Sequence, residues 1–373
     1  IDSSNAAEKE REMLEAIASA PECSVIFDAE DLEYISSAGL RFVLKIKKEK
    51  NDVRIINVSR DVYDIFEMTG FTEVMDIEKA LRQFSVEGLE KVGQGGTAAV
   101  YRLDDDKMIK VFKPVYPIDT IKNEKKMAQK LFFAGIPTAV PYDVVKCGES
   151  IGVIYEMLNS SSLQDLIVKE PENEEKYVYM MADLLQKTSK IRVEGLKDGV
   201  ERLLRACAVL PRYGIATEEE KAKYDAILKN IPKSEDFTHG DFHPGNIMMS
   251  DGELMLIDLS SAAYGHIIIE LSGVCTYFAA MSNILKPEYY MGFSGGIAPD
   301  RAKRLWNVFK DHFFAGKSGD FIAKAEVQIM AVSYLRLLAG AAFVPDLITP
   351  DCVGMMKDYL DKNYDVAVSK IEF

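Results

Sequence analysis

The chain has no CxxC pair, no unbroken apolar run long enough for a bilayer and no surplus of positive charge. Its five cysteines, Cys23, Cys147, Cys207, Cys275 and Cys352, are scattered and odd in number. That excludes a disulfide framework or a paired-cysteine zinc site and leaves reduced, mostly buried thiols. The most apolar window, Ile267 to Leu285, is broken by Glu270, Ser272 and Ser282, so it reads as a buried helix and not a membrane span. No charged-then-apolar leader opens the sequence, and a cytoplasmic protein is expected. Acids outnumber bases 59 to 45, a formal charge of −14, which argues against a nucleic-acid partner. Internal repeats and low-complexity tracts are also missing.

What remains is an ordinary globular composition, 48% hydrophobic and 28% charged. At 373 residues the chain exceeds one hydrophobic core, and two or three domains are expected. Residues 1–83 alternate helix and strand patterns: "KEREMLEAIA" helical, "CSVIFDA" a strand, "AGLRFVLKIKKEK" helical, "VRIINVS" a strand, "RDVYDIFEMTG" a helix closed by Gly70. That alternation implies an α/β layer. "EKALRQFSVEG" reads as a last helix running into a linker at 84–87. Residues 88–158 read as a small β-rich lobe with one helix, "TIKNEKKMAQKLFFAG", and residues 159–373 as a larger helical lobe. A cleft is expected between the lobes.

The residues able to carry chemistry fall at that cleft. In "HGDFHPGNIMMSDGELMLIDLSS" a tight Ser-Asp-Gly turn folds the strand after Asn246 back on the strand ending at Asp258. One amide oxygen and one carboxylate meeting there, completed by phosphates and waters, suit a Mg²⁺ ion. Asp241, five residues before Asn246, is free to take a proton from an attacking hydroxyl. Taken alone, these residues also serve as ordinary turn formers. Upstream, Gly93, Gly95 and Gly96 in "VGQGGTAAVY" let backbone approach a triphosphate, or simply form a hairpin. No Gly-Lys-Ser/Thr follows, so this is not a Walker A loop. Lys110 on the next strand is the candidate for the α- and β-phosphates and Lys113 its competitor, which the strand period puts on the opposite face. Glu124 on the following helix would pair with Lys110.

In this order the motifs resemble the aminoglycoside phosphotransferase and choline kinase branch of the kinase-like phosphotransferases, over residues 88 to about 373. The resemblance implies a bilobal, protein-kinase-like α+β fold with ATP and Mg²⁺ in the cleft. It makes Asp241 the catalytic base and has backbone around Glu156, Met157 and Leu158 hold the adenine. "HGDFHPGN" carries Gly240 where protein kinases have arginine, no APE follows Asp258, and Leu259-Ser260 stand in place of Phe-Gly. These departures favour small-molecule acceptors. Ala98 replaces the last glycine of GxGxxG.

Residues 1–83 resemble a second family, the anti-sigma-factor antagonist (STAS) domain, through "VIFDAEDLEYISSAGLRFVL" and "NVSRDVYDIFEMTGF". There the family's phosphorylated serine falls on Ser37, at a helix start where backbone N–H groups favour an anion. The residue before it is Ser36, not the family's usual aspartate, and both serines can instead be helix caps. "IDSSNA" is similar to the end of that family's first strand, so part of the N-terminus is expected to be missing. The leading expectation is an ATP- and Mg²⁺-dependent phosphotransferase acting on a small-molecule hydroxyl, with the STAS domain regulating it or docking a protein partner. A protein serine kinase of a partner-switching pathway and a non-catalytic nucleotide-sensing scaffold are the alternatives. A membrane partner is not expected.

Overall fold

A computed structural model describes residues 6–18, 24–50, 52–158 and 160–373. Cys23 lies outside these residues, as does the reading of "IDSSNA" as the end of a strand except for Ala6, which opens helix Ala6–Ala18. The chain divides into two compact units, Ile1–Gly88 with Val144–Gly152, and Leu89–Asp143 with Val153–Phe373.

In the first unit three parallel strands, Val25–Asp28, Val53–Val58 and Asp76–Lys79, form a sheet in that order. Helix Ser37–Glu49 buries Gly39, Phe42, Val43 and Ile46, a spacing that puts all four on one face. They pack with Val53, Ile55 and Val58 of the central strand and with Val62 and Phe66 of helix Arg60–Met68. Asn57 breaks the register with φ 58° and donates to Asp28 Oδ1 at 3.0 Å. Its short amide tolerates the left-handed backbone better than most side chains.

"EKALRQFSVEG" is not a helix. Residues 76–79 form the third strand, and Arg82–Gln83 a short strand paired in parallel with Val145 and Lys146. Asp76 and Glu78 both engage Arg54 on the neighbouring strand, while Ile77 between them is buried. Cross-strand charge pairing and a period-2 burial pattern override the helical propensity of the stretch.

The second unit opens with antiparallel strands Lys91–Gln94, Ala98–Arg102 and Lys107–Phe112. The strand segments Pro141–Asp143 and Val153–Glu156 also belong to this unit. Helix Ile118–Phe133 follows the third strand and ends before Gly135, whose φ of 88° reverses the chain. Downstream the core is helical. Helix Ile268–Cys275 has all eight residues buried and runs into a π-helical turn, Thr276–Ala280. Helix Gly319–Ala341 runs through the core with thirteen buried positions spread around its circumference. Trp306, the single tryptophan, stacks on Phe309 at 5.9 Å and donates from Nε1 to Glu326 Oε1 at 2.9 Å. Cys147, Cys207, Cys275 and Cys352 are free thiols, the last three buried. Among the described residues no helix is long and apolar enough to cross a membrane.

Candidate active site

The quoted hairpin forms as its turn residues dictate. Asp251 (φ 52°) and Gly252 (φ 85°) make the two-residue turn, and Ile247–Ser250 pairs antiparallel with Glu253–Leu256. Ile257 N–H donates to Asn246 O at 3.0 Å, so Asn246 and Asp258 stand at the same end of the hairpin. Asn246 Nδ2 donates to Asp241 O and to Asp241 Oδ2, at 3.0 and 3.2 Å. The amide thereby ties Asn246 to Asp241 and turns its oxygen away from Asp241. Asp258 sits in left-handed backbone, φ 57° and ψ 59°, a strained conformation typical of functional turns. Ser260 Oγ donates to its Oδ1 at 3.1 Å.

Asp241 is held by its loop. Buried His239 bonds Ile257 O through Nε2 at 2.9 Å. That carbonyl only accepts, so Nε2 carries the proton and Nδ1 accepts the Asp241 N–H at 3.3 Å. Burial holds the His239 ring below its usual pKa, against the pull of Ile257 and Asp241, keeping it neutral. His243 Nδ1 accepts the Gly245 N–H, and its Nε2 lies 3.7 Å from Asp241 Oδ2. Burial pushes the Asp241 carboxyl up, but His243 and then Arg336 outweigh it and hold the group at about 2.

Gly240 has φ 79°, and a Cβ there would collide with the Ser261 carbonyl. Its N–H donates to Glu270 Oε1 at 2.8 Å and its carbonyl accepts from Arg336 Nη2 at 2.7 Å. Burial pushes the Glu270 carboxyl up to about 7, against the Gly240 N–H and Arg336. Between about pH 4.5 and 7 the folded state therefore binds this proton more tightly than the unfolded chain does. Unfolding free energy should fall as pH rises through that window, by at most about 1.4 kcal/mol per unit. Glu270→Gln is expected to flatten this slope in urea titrations, and an unchanged slope excludes Glu270 as its source.

On the β-rich side Lys110 Nζ meets Glu124 Oε1 at 2.7 Å, both side chains about four-fifths buried. Helix 118–133, which carries Glu124, packs against the turn after Asp258. The buried Tyr155 phenol is pushed up first by burial, then by the charges of Glu124 and Asp258 together. Both carboxylates thus lie within electrostatic reach of one ring. Gly95 and Gly96 stand in the turn between strands 91–94 and 98–102, with open space over Gly96, and Gly93 faces Val100. None of the three has positive φ, so what they contribute is clearance. The Glu156 N–H goes to Val140 O and the Met157 N–H to Asp106 O. Among the described residues, Leu158 N–H is the one left without a partner in this segment. Ser37 is the first helical residue after Ser36, whose Oγ accepts from Gly39 N–H at 3.4 Å. Ser36 is therefore a cap.

Residues 88–304 match the phosphotransferase enzyme family. The chain belongs to that family. Residues 1–84 match the STAS domain. Among solved structures, the phosphotransferase chain resembles a thermostable mutant of aminoglycoside phosphotransferase APH(4)-Ia, at 12% identity and a TM-score of 0.50 over 81% of this chain and 97% of that one. It also resembles a choline/ethanolamine kinase family protein from Mesorhizobium loti, at 11% identity and a TM-score of 0.50 over 76% and 92%. At such identities the likeness is one of fold. No curated protein sequence matches the chain.

Three residues escaped the sequence reading: Glu270, Arg336 and Arg202, whose guanidinium bonds the Ser261 carbonyl and hydroxyl. A signal existed for the first two. Glu270 is the one charge in helix 268–275 and Arg336 the one charge in the apolar stretch 327–341, and a buried charge needs a stated partner.

Proposed function

We propose that this phosphotransferase moves the γ-phosphoryl group of ATP to a hydroxyl of a small molecule in the cytoplasm, with Mg²⁺ as its metal. The observation that carries the reading is the bonded pair Asp241–Asn246 with Asp258 at the same end of the hairpin, together with the Lys110–Glu124 ion pair. Among the described residues no cluster of three or more His, Cys, Asp or Glu is placed to hold a metal. An amide oxygen and one carboxylate still fit Mg²⁺, which keeps several waters and phosphate oxygens of its own. Asn246 Oδ1 and the Asp258 Oδ2 that Ser260 leaves unbonded would supply them. When bound, the ion offsets phosphate charge. Lys110 would hold the α- and β-phosphates, glycines 93, 95 and 96 would leave room for them, and Leu158 N–H would face the adenine. Asp241 orients the acceptor hydroxyl. As the new P–O bond forms, the γ-phosphorus parts from ADP, which keeps the electron pair, and the hydroxyl proton passes to Asp241 and on to solvent.

The test is ADP release and acceptor phosphorylation with Mg²⁺-ATP across a panel of hydroxyl compounds; no release from any of them would remove the reading. Glu124→Gln is expected to raise the KM for ATP about tenfold, roughly 1.4 kcal/mol, by freeing Lys110 from its position. An unchanged KM would detach the pair from nucleotide binding. The STAS domain is proposed to regulate this activity or to dock a protein partner, with Ser37 as a candidate phosphorylation site.

A further inference from the structure

Beside the Asp241 loop lies a pocket of about 310 Å³, bounded by helix Gly199–Cys207, by Gly240 and Ser261, and by the end of helix Gly319–Ala341. That volume is at the lower end of the range for small-molecule sites. Leu203, Ile269 and Phe343 give it an apolar wall. Among the described residues its charged lining consists of Arg202 and Arg336, with no acidic residue.

A pocket for a polyamine acceptor would need carboxylates, and the acids nearby do not supply them. Asp198 caps the 199–207 helix, accepting from Val200 and Glu201 N–H, and Glu201 pairs with Arg205. Glu270 is buried beneath Gly240. The two guanidiniums also act on each other. Burial loosens the Arg336 proton, Glu270 and Asp241 strengthen its hold, and Arg202 opposes them. Arg336 commits one bond to the protein, to Gly240 O, and Arg202 spends its two on Ser261. Most of their donors are left uncommitted. Like charges placed together in a partly apolar pocket favour an anion between them.

We propose that this pocket receives the acceptor, and that the acceptor is a hydroxyl compound carrying a phosphate or carboxylate held by Arg202 and Arg336. The proposal rests on the phosphotransferase reading above and supplies its substrate class. The anion docks on the guanidiniums while the hydroxyl reaches Asp241, next in sequence to Gly240.

Calorimetric titration of the full chain with glycerol 3-phosphate, glycerate, glycerol, choline and kanamycin tests the charge preference. The first two separate phosphate from carboxylate. At least one of them is expected to bind about tenfold or more tightly than the neutral and cationic probes, and Arg202→Met to remove that advantage. Arg202→Lys, which keeps the charge but not the fork to Ser261, should retain much of it; a purely structural role would not be rescued. Arg202 is exposed, so these variants leave the core intact where a change at Arg336 disturbs it. Choline or kanamycin binding as tightly as the anions, no anion binding, or Arg202→Met binding them unchanged would each overturn the proposal. ADP release, measured separately, distinguishes the two readings. Anion binding through Arg202 without ADP release from any acceptor fails the transfer reading alone. Phosphorylation of choline without anion binding fails this inference alone.

Discussion

Asparagine in place of Asp241 is expected to lower kcat by about 10²–10⁴-fold while leaving the KM for ATP nearly unchanged. The substitution preserves shape and still accepts from Asn246 Nδ2, so the loop should survive; what disappears is the carboxylate. Held at about 2, Asp241 is a weak base at neutral pH but an ionised hydrogen-bond acceptor throughout the working range. On the proposed mechanism its part would be to orient the hydroxyl and take the proton late, when the oxygen has become acidic through bonding to phosphorus. The acid side of the kcat profile should therefore show no fall from this group until the pH approaches that value. Single-turnover measurements with wild type and Asp241→Asn would check both statements. An asparagine variant with full turnover would dismiss Asp241 from the chemistry.

Gly240→Ala should be nearly as damaging, for a different reason. The position needs left-handed backbone, and the added methyl would collide with the Ser261 carbonyl just beyond Asp258. Backbone strain of about 1–2 kcal/mol and overpacking of about 1–3 kcal/mol act on the segment that joins Asp241 to Glu270 and Arg336. Loss of both stability and turnover is expected, read by thermal unfolding and by ADP release. A stable and active alanine variant would mean that the loop has room that its geometry denies.

The parts of the site that were legible share one property: their spacing along the chain is short. Asp241, Asn246 and Asp258 lie on one hairpin and its flanking loops, so short-range turn chemistry bonds Asn246 to Asp241 and sets Asp258 at the same end as Asn246. Lys110 and Glu124 are 14 residues apart, on a strand and the helix that follows. The unread residues act across far longer intervals. Glu270 reaches Gly240 over 30 residues, Arg202 reaches Ser261 over 59, and Arg336 reaches Gly240 over 96. Each binds a backbone atom, and a backbone atom leaves no trace in residue identity. The misread stretch at 78–88 begins with the same kind of dependence, because Arg54, two dozen residues earlier on the neighbouring strand, pairs with Glu78 where a helix was expected. Local pattern accounts for the placement of the candidate groups; what braces them depends on tertiary pairing.

Trp306, wedged between an aromatic neighbour and a carboxylate in the second unit, gives the chain a single indole fluorophore. A denaturant titration followed by its emission reports the melting of the helical region and is blind to the three-stranded sheet near the N-terminus. A transition that circular dichroism records and the indole misses belongs to structure outside that helical region, the N-terminal sheet included, and is seen without cutting the polypeptide.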